Sequence, residues 1–231
     1  MKILAIDTST EACSAALNID GEIHAAYRLA PREHSRLILT MLDDILAESD
    51  TELSQLDAIA FGRGPGSFMG LRIAAGVTQG IAFVHDTPVI PVSTLMAIAE
   101  VAYMQTGATR VMAAIDARMD EVYWGVYRRE HEAWLISGEE QVISPDNVRF
   151  PASDDGGWLA AGTGWASYGD RLQAGNDTRP GRIIEDCYPT AEAIARIAAK
   201  ELQQGNTCRA DQAVPVYLRN NVARKPGPVA L

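Results

Sequence analysis

The feature that most constrains the fold is a repeat. Residues 2–7, KILAID, form an apolar run closed by an acid, then a short turn at 8–12, then a second apolar run at 13–19, CSAALNI. The same order returns at residues 110–127, RVMAAIDARMDEVYWGVY, where Asp116 stands 109 positions after Asp7. At that offset Ala5, Ile6 and Asp7 match Ala114, Ile115 and Asp116, and the strand holding Ala15 to Leu17 matches Trp124 to Val126. Two copies of one run-acid-turn-run unit predict an α/β protein of two lobes on a common plan, 1–106 and 107–231, with the boundary at 106–109.

The remaining periodicities fill in the first lobe. Asp20-Gly21 signals a hairpin into a third strand at 22–29. Leu37, Ile38, Met41, Leu42, Ile45 and Leu46 recur at helical spacing over 35–48. A strand at 56–62 leads through the glycine-rich turn GRGPGSFMG at 62–70 into a helix over 71–85. A strand at 88–92 follows, and Ser93-Thr94 can cap a helix over 95–104. In the second lobe the apolar run WLAAGTGW at 158–165 follows a polar patch at 153–157, and a helix is predicted over 190–203. The tail from 215 to 231, with two late prolines and a basic cluster, reads as a poorly ordered end.

Composition excludes several classes. With 47% hydrophobic and 22% charged residues, the 231-residue chain can bury a sizeable core. No apolar stretch approaches the ~20 residues of a membrane-spanning helix, and no basic segment precedes a long apolar one at the start, so a cytoplasmic location is expected. Three widely spaced cysteines suit a reducing compartment. A net charge of −10 repels a phosphate backbone, so another chain is expected to hold any nucleic acid.

Several constellations bear on chemistry. Asp7 and Asp116, one per lobe, with Thr8, Ser9 and Arg118 beside them, either face a cleft that holds a metal-nucleotide or cap their own turns through Asx hydrogen bonds. The loop at 62–70 either presents N–H groups to an anion or packs tightly as a structural turn, and it lacks the lysine of a Walker A loop. Gly76 and Gly80 each cost a helix roughly 1 kcal/mol relative to alanine, which implies a compensating close approach, by a partner helix or by the chain's own sheet. None of the four histidines forms the i, i+4 pair of a zinc protease, and Gly66-Ser67-Phe68 departs from the serine elbow of a hydrolase.

ILAIDTST at 3–10, GRGPGSFMGLRIA at 62–74, PVSTL at 91–95, AAIDARMDEVYW at 113–124, GTGW at 162–165 and PVYLRNNVA at 215–223 together resemble the TsaB (YeaZ) family. The resemblance implies two ribonuclease-H-like lobes in an actin-like ATPase-type (ASKHA) arrangement. It implies a non-catalytic scaffold that pairs with the TsaD transferase, and with the TsaE ATPase, for N6-threonylcarbamoylation of adenosine 37 in ANN-decoding tRNAs. In TsaD a histidine pair binds the metal, and Thr94 and Ile98 stand at the matching positions here. The chain is therefore expected to carry no cofactor of its own, while the complex uses ATP, Mg²⁺ and a metal held by the transferase.

Pairing, with TsaD or with a second copy, is expected through Ile38, Met41, Leu42, Ile45, Ala75, Gly76, Gln79, Gly80 and Phe83, with tRNA met only through the complex. Met69 and Ala74 depart from the threonine and glycine common in the family. A free-standing nucleotide-binding ATPase or kinase, and a metalloprotease, are the alternatives.

Overall fold

The structure, a computed structural model, describes residues 1–152 and 157–219. β1 (Lys2–Asp7) is buried on both sides, as a continuous apolar run requires, and its alternating side chains serve two separate cores. β2 (Ala12–Ile19) and β3 (Glu22–Leu29) follow it antiparallel through the Asp20-Gly21 turn, where both residues adopt positive φ. Beyond α1 (His34–Glu48), β4 (Ala58–Gly64) pairs parallel with β1. α2 (Phe68–His85) and β5 (Val89–Ser93) complete a sheet ordered β3-β2-β1-β4-β5. α2 begins three residues earlier than the sequence suggests, because the Ser67 side chain caps it by accepting from the Gly70 N–H.

α3 (Thr94–Thr106) is capped by Ser93 and stopped by Gly107 in the left-handed conformation. β6 (Arg110–Arg118), β7 (Glu121–Glu130), β8 (Ala133–Ile136), β9 (Gln141–Ile143), β10 (Leu159–Ala161) and β11 (Arg182–Ile184) then build the second sheet. Its order, β8-β7-β6-β10-β11, repeats the first strand for strand, with β9 added against β7. The duplication is thus visible as topology.

The equivalence needs one adjustment. Ala5 pairs with Ala16, and its counterpart Ala114 pairs with Trp124. Trp124 therefore corresponds to Ala16 and not to Ala15, because the second hairpin has lost one residue between its strands.

The core has three parts. Leu4, Ile6 and Phe61 meet α1 and α2 on the outer side of the first sheet. Met112, Trp124 and Trp165 form the core under α4 (Thr163–Ala174) on the outer side of the second. Between the sheets, Ile3, Ala5, Val111 and Ala113 enclose α3 and α5 (Ala191–Gln203). α3 packs on β6, β7 and β10, whereas α5 crosses back onto β1, β2 and β4. Ser14 Oγ accepts from the Ala191 N–H at 2.8 Å and fixes the start of α5 on the first sheet. Each half thus covers the sheet of the other with its last helix.

The tail is ordered further than expected. Residues 213–219 run back across the first lobe, with the Val216 N–H donating to Arg63 O at 2.7 Å and the Tyr217 ring tilted against Phe68 at a centroid distance of 5.5 Å. The rest of the tail, with Arg224 and Lys225, lies outside the described residues, as do 153–156 of the polar patch. Among the described residues no helix is long and apolar enough to cross a membrane.

Candidate functional site

Two surfaces collect the residues singled out by the sequence: the outer face of α2 and the cleft between the lobes. The glycine-rich loop connects them. A Cβ at Gly70 would lie 1.9 Å from Thr8 O, and one at Gly66 would lie 2.4 Å from Ser9 O, so these glycines allow the loop to close on the β1–β2 turn. Thr8 Oγ1 reinforces that contact by donating to Gly70 O at 2.7 Å.

Gly76 and Gly80 behave differently. A Cβ at either would meet nothing within 4 Å, and both lie on the exposed side of α2. The chain's own sheet is therefore not what they approach. They form a shallow floor flanked by Phe83, which is 83% exposed, by Val84, and by Met69, which is 62% exposed. Leu39 adds an exposed apolar side chain on α1. Gln79 is half-buried and donates to Ala213 O at 3.0 Å.

The expected pairing residues divide accordingly. Gly76, Gly80 and Phe83 are on the open face, and Met41 is half-buried at its edge. Ile38, Leu42, Ile45 and Ala75 are not available to a partner, because they fill the core under α1 and α2. The helical periodicity that makes them prominent marks the side turned to the chain's own sheet. The residues that do stand out, Leu39, Met69 and Val84, interrupt that periodicity. Of the two departures, Met69 enlarges the exposed apolar face, while Ala74 is wholly buried.

The cleft is a cavity of about 580 Å³ lined from the first lobe by Ser9, Glu11, Arg32, His34 and Ser67, and from the second by Asp116, Arg118 and Tyr123. Both aspartates close Asx turns: the Ser9 N–H donates to Asp7 Oδ1 at 3.1 Å, and the Arg118 N–H donates to Asp116 Oδ1 at 2.8 Å. Beyond that they differ. Asp7 is fully buried, its carboxylate against Gly62, and it does not line the cavity; neither does Thr8. Burial pushes the Asp7 carboxyl up to about 7, against the opposing hydrogen bonds from the Ser9 N–H and hydroxyl. Asp116 faces the cleft, pairs with Arg118 at 2.9 Å and accepts from Tyr168 at 3.4 Å. Arg118 reaches across to Glu11 of the first lobe at 3.1 Å. The opposed carboxylates of the sequence reading are thus one cleft residue and one core residue.

Thr94 and Ile98 occupy the first turns of α3, both fully buried between the sheets. A hydroxyl and a hydrocarbon do not match the imidazole donors that the resemblance places there. Among the described residues, no three His, Cys, Asp or Glu side chains converge as a metal site would require.

Comparison with known proteins places this geometry. The family described as "TsaD: tRNA N6-adenosine threonylcarbamoyltransferase" matches residues 20–226. A protein of Escherichia coli K12 named tRNA threonylcarbamoyladenosine biosynthesis protein TsaB is 47% identical, with 99% of each chain covered. The chain belongs to the TsaB family. A second TsaB, from Haemophilus influenzae, is 42% identical over 99% of this chain and 98% of its own. The solved structure of YeaZ from Pseudomonas aeruginosa superposes with a TM-score of 0.89 at 46% identity, covering 94% of this chain and 99% of that one. The two lobes of this TsaB-family chain are accordingly those of the actin-like ATPase-type arrangement.

Sequence reasoning overlooked His34, Arg32, Ser67, Tyr217 and Arg219 as cleft residues. Histidines judged only by their mutual spacing conceal one that opens a helix at a domain cleft. The tail residues are brought to the cleft by a long-range return that no local pattern announces.

Proposed function

We propose that the chain takes part in tRNA threonylcarbamoyladenosine biosynthesis as a non-catalytic subunit that pairs with a TsaD-like transferase through the outer face of α2. The observation that carries this reading is the bare helix surface at Gly76 and Gly80, bordered by Met69, Phe83 and Val84. Two glycines inside a helix lower its intrinsic stability by about 2 kcal/mol relative to alanines, and no internal contact offsets that loss. A partner helix laid across them would bring two backbones close together and would remove the exposed apolar side chains from water.

A second copy of this chain would use the same face, so homodimer and heterodimer compete for it. A TsaE-like ATPase docks at the heterodimer junction, and tRNA is met through the complex. The residues at 94 and 98 support the non-catalytic part of the reading, since neither can replace an imidazole ligand. ATP, Mg²⁺ and the metal then belong to the partner proteins. The paired lobes with Ser9, Asp116 and Arg118 at their cleft are what the alternative of a free-standing nucleotide-binding kinase rests on, and nothing specific to phosphoryl transfer accompanies them.

Reconstitution tests the proposal. Purified carbamoyl-adenylate synthase, transferase and ATPase, given ATP, threonine, bicarbonate and an ANN-decoding tRNA, should form the modified adenosine only when this chain is added, and this chain alone should form none. Full modification in its absence would reject the role.

A further inference from the structure

Two polar side chains stand where their elements call for apolar ones. Asn18 belongs to the same alternate set of β2 as Ala16, which faces the core between the sheets, and Glu100 lies on α3 among Ala97, Ile98, Val101 and Ala102 of that core. The two are only 3% and 4% exposed. At such depth a polar group destabilises the fold unless its atoms find partners. Each of these side chains has one atom engaged and one free. Asn18 Oδ1 accepts from the Gly21 N–H at 2.8 Å, which fixes the orientation of the amide and leaves Nδ2 without a partner among the described residues. Glu100 Oε2 accepts from Arg129 Nη1 and from Trp134 Nε1, each at 2.7 Å, and Oε1 is left with none. Neither free atom is sealed from solvent, and both residues line one cavity of about 250 Å³.

This second cavity shares no lining residue with the cleft described above. The β2–β3 hairpin of the first lobe and the β7–β8 hairpin of the second enclose it together with α3 and α5. Ile23, Met96, Trp134 and Ile197 give it an apolar wall. Its charges balance, with Glu100, Glu132 and Glu201 against Arg129, Arg196 and Lys200. The cations are also engaged: Arg129 by Glu100 and Lys200 by Glu132, each at 2.7 Å, and Arg196 by Glu192 at 2.9 Å. A ligand of net charge would therefore find no unmatched countercharge on these groups.

We propose that this cavity binds a primary carboxamide, whose N–H donates to Glu100 Oε1 and whose carbonyl accepts from Asn18 Nδ2, with the ligand's apolar body against Ile23, Met96, Trp134 and Ile197. A free acceptor and a free donor facing one small space suit a neutral group that carries both complements. A carboxylate would bring no proton to Glu100, and an ammonium would leave the Asn18 donor unmatched. The site does not use the outer face of α2, so it stands or falls separately from the pairing role.

The test is a nuclear magnetic resonance titration of the ¹⁵N-labelled full chain with benzamide, and in parallel with benzoate and with benzylammonium, at constant ionic strength. Because the Trp134 indole N–H shares the Glu100 carboxylate, its resonance, assigned from the spectrum of Trp134→Phe, reports on the site. A saturable shift with benzamide is expected, with affinity at least about tenfold above that of either charged analogue. Asn18→Asp keeps the acceptor for the Gly21 N–H and turns the free donor into an acceptor, so it should bind benzamide at least about tenfold more weakly and prefer benzylammonium. Glu100→Gln offers a donor in place of the free acceptor and should weaken benzamide binding to a similar degree. The wild-type ranking of the three probes needs neither variant to fold. Absence of a saturable shift with benzamide, benzoate or benzylammonium binding as tightly, or wild-type affinity in a folded Asn18→Asp would overturn the assignment.

Discussion

The two lobes share one strand order, yet their outer faces differ. In the second, α4 turns its large side chains inward: Trp165 packs at a tilt against the stacked rings of Trp124 and Phe150, and its indole N–H donates to Met112 O at 3.1 Å. In the first, α2 packs Leu71, Ala74 and Ala82 on the sheet and leaves Phe68, Met69, Phe83 and Val84 in solvent around two bare glycines. A duplicated framework has therefore kept its strands and diverged in its outer helices, one completing its own core and the other presenting an apolar surface. The same divergence runs through the cleft, where Asp7 is sealed under α5 and Asp116 remains open.

The largest effect that would sharpen this contrast concerns the closed face. Trp165→Ala should lower the unfolding free energy by about 3–5 kcal/mol in denaturant titration, with little loss of partner affinity per folded molecule. A loss under about 1 kcal/mol would mean that α4 is not the buried counterpart of α2.

The next tests the sealed carboxyl. Asp7 is held near 7 in the folded chain against about 4 when unfolded, so the native state retains its proton over that interval. Stability contributed by the protonated form is present below about pH 4 and is lost as pH rises through 7, by up to roughly 4 kcal/mol. Asp7→Asn should flatten this part of the stability profile and stabilise the protein at pH 8. A profile identical to wild type would place the Asp7 carboxyl in a more polar setting.

Much of this architecture is legible in the chain's periodicities. The first lobe is read nearly strand for strand, because β1 and β2 are unbroken apolar runs and α1 has a regular stripe from Leu37 to Ile45. α4 is not legible: it contains Gly164 and Gly169, has few apolar residues, and is held by the packing of Trp165 and Leu172. β11 is three residues long and depends on pairing with β10. Ile38, Leu42, Ile45 and Ala75 stand out in the sequence yet turn to the chain's own core, since the signal that reveals a helix is the stripe it buries. Gly76 and Gly80 were recognisable as unusual, but only the empty space above them separates a partner from the chain's own sheet.

The smallest effect probes that space. Gly76→Ala meets no obstacle, so it should stabilise the isolated chain by about 0.8–1 kcal/mol through helix propensity alone. A destabilised variant would reveal a close internal contact at that position.

The central claim is that the bare face of α2 is where another chain sits. Its most direct measurement is light scattering coupled to size-exclusion chromatography of this chain with a TsaD-like transferase, comparing wild type with Gly80→Arg and with Ser167→Arg on the outer helix of the second lobe. The account predicts that Gly80→Arg weakens the complex more than 100-fold, about 2.7 kcal/mol or more, without lowering the melting temperature, while Ser167→Arg leaves it intact. A complex formed equally well by Gly80→Arg, or broken by Ser167→Arg, would contradict it.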